Sequence, residues 1–282
     1  MRWQGRRKSS NVEDRRGLSS KGMVSGGLGT IAVVVIVLLL GGDPSDVLQN
    51  ITTNNQTTRS SNYVETERDK ELAQFVSVVL AETENVWQNV FEKEGNQYIK
   101  PKLVLYSGSV ESACGFSSAA TGPFYCPGDE KVYIDLSFYD ELQNKFKAPG
   151  DFAMAYVIAH EVGHHIQNLL GISGQVSELR NQLSQEEYNK YSVRLELQAD
   201  FLAGVWAHYE EQLGDVIEIG DIDEALTAAS SVGDDNIQKE MQGYVVPESF
   251  THGTSAQRKK WFYKGYKSGD LKDGDTFNTT DL

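Results

Sequence analysis

The segment His160-Glu161-Val162-Gly163-His164 constrains this chain most. Two histidines four apart share one face of a helix. They stand in a run that stays apolar at Met154, Val157, Ile158, Val162, Ile166 and Leu169. Pro149-Gly150-Asp151 precedes the run, with Asp151 a candidate cap, and Gly171 follows it. The spacing therefore predicts a buried helix that presents two imidazoles to one metal ion, with zinc the fitting choice. Glu161, turned about 100° along the helix, reaches a water beside the metal rather than the metal itself, which suits a general base.

Two histidines need a third protein ligand if one position is to stay open for chemistry. No third histidine stands six residues on, where the chain has Leu170. Glu196 and Asp200, again four apart, lie in the apolar stretch Leu195 to Trp206, where an acid needs a partner. Glu196 is the candidate ligand and Asp200 the candidate acceptor for the second N–H of a ligand histidine. Asp200 itself as the ligand is the competing reading. Ser184-Gln185-Glu186-Glu187 has the capping-box pattern and opens this second helix, which reaches about Tyr209. His252 precedes a helix predicted over 255–267 that carries Arg258. His252 is a candidate donor to a developing oxyanion, and Arg258 a candidate holder of an active-site carboxylate. His165 and His208 read as packing or polar contacts.

The remaining pattern is α+β and helix-rich. Apolar spacing predicts a helix over 65–93 and short strands at 101–106 and 131–136, the latter alternating, with a shorter helix from Asp223 to about Ser231. The net charge of −14 argues against nucleic acid as the main partner. Charge is uneven, however. Arg2, Arg6, Arg7, Lys8, Arg15, Arg16 and Lys21 precede a charge-free apolar run from Met23 to Leu40, and Asp43 and Asp46 follow it. This predicts a basic, disordered cytoplasmic tail (1–22) and one transmembrane helix (23–42). A flexible linker (43–62), an extracytoplasmic domain (63–276) and a short C-terminal tail (277–282) follow. A cleaved signal peptide is the alternative for the apolar run. Cys114 and Cys126, on the predicted outer side, are a candidate disulfide; two free thiols are the other reading.

Six stretches together resemble the neutral zinc metallopeptidase family of bacterial membrane-anchored proteins. They are Met1-Arg2-Trp3-Gln4-Gly5-Arg6-Arg7, Cys114-Gly115 with Gly122-Pro123-Phe124-Tyr125-Cys126-Pro127, Tyr133 to Phe138, His160 to Gln167, Glu196 to Asp200, and Thr251 to Ser255 with Arg258. The resemblance implies a zincin-type fold with a glutamate third ligand. It also implies that the sheet's edge strand, within about 124–135, pairs with the backbone of an extended peptide. The expected protein is a zinc peptidase on the outer face of a bacterial cytoplasmic membrane. Alternatives are hydrolysis of a non-protein amide such as a cell-wall peptide, or a zinc-stabilised binding module.

Overall fold

The computed structural model describes residues 1–17, 63–213 and 216–282. The predicted span at 23–42 and linker at 43–62 lie outside the described residues. Among those described, no helix is long and apolar enough to cross a membrane.

Residues 1–15 and 65–282 form one compact unit. Its main sheet has the order β1 (Val12–Asp14), β2 (Lys102–Tyr106), β6 (Lys131–Asp135), β5 (Phe124–Cys126). The first three strands run parallel, and β5 closes the far edge antiparallel to β6. The centre of the sheet is apolar, as burial on both faces requires: Leu103, Val104, Leu105, Val132, Tyr133 and Ile134 are all buried. A hairpin of β3 (Ser109–Ser112) and β4 (Gly115–Ser118) stands beside it. The Cys114–Cys126 disulfide joins the hairpin turn to the end of β5.

The helices are α1 (Glu67–Lys93), α2 (Phe138–Asn144), α3 (Asp151–Leu169), α4 (Ile172–Leu179), α5 (Gln185–Leu213), α6 (Asp221–Ser231), α7 (Asp234–Gln242) and α8 (Ser255–Ser268). α3 is buried on almost every side from Phe152 to Gln167. It therefore needs an apolar sequence all round rather than one stripe. Trp206 of α5 stacks on Phe152, and Tyr156 meets Phe262 of α8 edge-on. Helix approach is set by small residues. A Cβ on Gly163 would lie 2.9 Å from the Ala199 carbonyl oxygen, so α3 and α5 touch backbone to backbone beside the metal motif. α5 and α8 do the same: a Cβ on Gly204 would come within 2.0 Å of the Phe262 carbonyl, and one on Gly265 within 2.0 Å of the Phe201 carbonyl.

Three expectations are corrected. Residues 1–15 are not a loose tail: they include β1, and Met1 and Ser9 are buried. Their arginines have buried partners, since Arg6 pairs with Glu82 at 2.7 Å and Arg7 with Glu84 at 3.1 Å. Residues 277–282 are not a trailing tail either. Arg194 donates to the Thr279 carbonyl, Lys260 pairs with Asp281, and Leu282 packs on the core. Asp151 does not cap α3. Gly150 takes the cap position with φ 116°, and Asp151 instead accepts the Met1 ammonium at 2.7 Å. The predicted strands at 101–106 and 131–136 and the helices over 65–93, 255–267 and from Asp223 are present within a few residues. The edge strand expected within 124–135 is β5, while β1, the β3–β4 hairpin, α2, α4 and α7 were not anticipated.

Candidate metal centre

His160 and His164 share one face of α3, as their i, i+4 spacing requires, and the packing of α5 brings Glu196 to them. Their ligand atoms all lie within 4.8 Å of one another. His160 Nε2 is 3.2 Å from one Glu196 oxygen, and His164 Nε2 is 3.4 Å from the other. Two atoms each about 2.0–2.1 Å from a tetrahedral zinc stand about 3.3 Å apart, so this donor set has the right size as well as the right chemistry. Glu161, from the same turn, is buried beside them.

Each imidazole is oriented through its other nitrogen. His160 donates Nδ1–H to Asp200 Oδ1 at 2.9 Å, leaving the Nε2 lone pair for a metal. Asp200 is fully buried and also accepts from Tyr156 Oη (2.5 Å), Arg258 Nε (2.8 Å) and the Arg258 Nη2 (3.0 Å). Burial resists the charge on Asp200, but Arg258 and His160 outweigh it and hold the carboxyl below its usual range. Burial likewise lowers His160, yet Asp200 and Glu196 raise it to about 9. An ion entering the site must therefore displace a proton.

His164 donates Nδ1–H to Gln167 Oε1 at 2.9 Å. The amide orientation is fixed, because Gln167 Nε2 donates to the Leu195 carbonyl (2.7 Å) and to Gln198 Oε1 (3.1 Å). Gln167 also ties the end of α3 to the α5 turn that carries Glu196. Sequence reasoning missed it; the signal was a polar residue at i+3 from His164 in an apolar helix. Glu196 is disfavoured as an anion by burial, but the fields of His164 and His252 hold it well below the ordinary range.

His252 lies in the turn before α8, whose Thr254–Gln257 capping box fixes its start. The ring is half-exposed, with Nδ1 3.2 Å from Asp234 Oδ1. The other Asp234 oxygen accepts the backbone N–H groups of Thr251 (2.8 Å), His252 (2.6 Å) and Gly253 (3.0 Å). Asp234 thus holds both the loop and the ring, and nothing in the local sequence marks it. Burial lowers the His252 pKa, but Glu196 and Asp234 raise it overall, so the ring tends toward the cation. His165 and His208 stay outside the cluster. His165 bonds the Ile99 carbonyl and Tyr125 Oη, and His208 the Tyr266 carbonyl.

A family described as "Putative neutral zinc metallopeptidase" matches residues 1–277. The chain belongs to this family. It is 49% identical over 284 residues to YpfJ of Escherichia coli K12, covering 98% of this chain and 99% of that protein. It is 40% identical over 257 residues to Rv2575 of Mycobacterium tuberculosis H37Rv, covering 87% of this chain and 86% of that protein. No solved structure matches it. The described residues have a helix-rich α+β architecture and hold a His160, His164 and Glu196 group that could bind a metal ion, and the family suggests zinc.

Proposed function

We propose that the protein is a zinc-dependent peptidase of zincin type, with His160, His164 and Glu196 as ligands and Glu161 as general base. The observation that carries this is the convergence of His160 Nε2, His164 Nε2 and the Glu196 carboxylate, with a buried carboxylate one residue after the first histidine. A purely structural site closes all four positions and has no use for a base. A zinc ion bound here supplies a Lewis acid that polarises the scissile carbonyl and makes water a nucleophile near neutral pH.

The protein's own groups do the rest. Glu161 takes a proton from the attacking water and returns it to the leaving nitrogen. His252, steadied by Asp234, donates to the oxygen that gains negative charge. Arg258 and Tyr156 hold Asp200, and Asp200 holds His160, so the ligand ring is locked before substrate arrives. The antiparallel edge strand β5 offers backbone groups to an extended peptide. Tyr125 of β5 bonds Asn168 and His165 of α3, which fixes that edge against the metal helix. The apolar run 23–42 attaches the enzyme to the bacterial cytoplasmic membrane. The Cys114–Cys126 disulfide favours an oxidising, extracytoplasmic setting for the catalytic domain.

The test pairs metal content with turnover. Wild type and Glu161→Gln should each bind one zinc per chain, with hydrolysis of an unfolded protein falling roughly 10²–10⁴-fold in the variant. Absence of zinc from the wild type, or full activity in the variant, would end this reading.

A further inference from the structure

The amino-terminal segment is built into the catalytic unit at every step. The Met1 ammonium pairs with Asp151, the first residue of α3, and with Asp221, the first of α6. Arg2 N–H donates to the Val216 carbonyl at 2.8 Å, and Ser9 N–H to the Ser77 carbonyl at 2.9 Å. Leu103 N–H donates to Asn11 and Arg15 N–H to Leu105, extending the β1–β2 ladder at both ends. Glu13 of β1 sits 3.0 Å from Lys131 and 3.4 Å from Lys102.

These contacts are costly to break. Glu82 and Glu84 of α1 are only 3% and 1% exposed, and Arg6 and Arg7 are their counter-ions. Withdrawing the segment would leave the buried Glu82 without its arginine and would take from the buried Glu84 its arginine and its bonds from Ser9 and Asn11, leaving it only Lys100 at 3.9 Å. Four of the seven cations that suggested a cytoplasmic tail pair instead with carboxylates of the fold. Arg2 pairs with Glu218, Arg6 with Glu82, Arg7 with Glu84 and Arg15 with Glu13. Beyond β1, Arg16 donates to Tyr63 Oη at 2.9 Å, so the chain on either side of 18–62 meets at one point.

A single crossing within 18–62 would put β1 and β2 on opposite sides of a hydrocarbon layer about 30 Å thick. Hydrogen-bonded strands cannot be so separated. We propose that residues 1–15 and residues 65–282, which pack as one unit, occupy the same face of the membrane. This replaces the expected arrangement of N-terminus inside and catalytic domain outside. It rests on strand pairing and buried ion pairs, not on catalysis, so it stands or falls separately from the peptidase reading.

The experiment uses the full-length protein in its native membrane. Gln4→Cys, Ser10→Cys and Asn96→Cys each place a thiol at an exposed position, two in the amino-terminal segment and one in the turn after α1. Intact spheroplasts and lysed cells are treated with a membrane-impermeant maleimide, and the label is located by peptide mass. All three positions should behave alike, either labelled in intact spheroplasts or labelled only after lysis. Labelling of position 96 from one side and of 4 and 10 from the other would overturn the proposal.

Discussion

Replacing Arg258 by methionine tests the energetic centre of the site. Asp200 is fully buried and Arg258 4% exposed, and the guanidinium makes two of the bonds that Asp200 accepts. Methionine keeps most of the volume and removes the charge, leaving the carboxylate with only His160 and Tyr156. Breaking one side of a buried ion pair costs about 3–5 kcal/mol. At about 2–4 °C per kcal/mol for a domain of this size, Tm should fall by roughly 6–20 °C. Removing both charges, as Asp200→Leu with Arg258→Met, leaves no uncompensated ion and should be more stable than Arg258→Met alone by about 2 kcal/mol or more. The double variant should still bind zinc about 10–100-fold more weakly, because His160 has lost the acceptor that orients it. Scanning calorimetry in chelator keeps metal binding out of the comparison. A cost below about 1 kcal/mol for Arg258→Met, or strictly additive effects in the double variant, would refute the reasoning.

Three further outcomes are expected. Glu196→Ala should lose zinc as well as activity, read by metal analysis after dialysis; full zinc retention would remove Glu196 from the ligand set and return Asp200 to candidacy. His252→Ala should lower kcat by roughly 10²–10³ with zinc content unchanged, and Asp234→Asn should lower it in the same direction by less. An unchanged kcat for His252→Ala would leave that ring a loop residue. The third concerns pH. Burial first, then the charge of Glu82, pushes the Glu210 carboxyl up to about 8, against the opposing effects of Arg6 and the Trp206 side chain. Between its ordinary value of 4.5 and about 8, the folded state keeps a proton that the unfolded chain has lost. Stability therefore falls as pH rises through that window, by at most about 1.4 kcal/mol per pH unit. Glu210→Gln should flatten the Tm profile between pH 5 and 8.5 and raise Tm at its alkaline end. Parallel profiles for variant and wild type would show that Glu210 does not titrate this way.

Periodicity alone located much of the centre. The four-residue spacings of His160 with His164 and of Glu196 with Asp200 each define one helical face, and helix geometry makes those faces inevitable once the helices form. The Ser184–Glu187 box at the start of α5 was equally legible, because its bonds are local. The amino-terminal segment was misread for the opposite reason. Its arginines look like a solvated tail until Glu82, Glu84 and Glu218 are brought to them, and β1 has too few apolar residues to announce a strand. Asp234 and Gln167 were missed because their roles depend on which group stands opposite, not on their own neighbours.

What the sequence determined is what repeats within a helical turn: the four-residue pairs His160/His164 and Glu196/Asp200, Glu161 beside the first of them, the apolar character of α3 and the capped start of α5. Tertiary structure decided everything that joins distant segments. It brought Glu196 to the histidines, set Arg258 and Tyr156 on Asp200, hung His252 from Asp234, and drew Val12–Asp14 into the sheet. The physical reason is range. Backbone geometry fixes neighbours three and four residues apart, whereas ion pairs and strand ladders across the chain exist only once packing has brought the partners together.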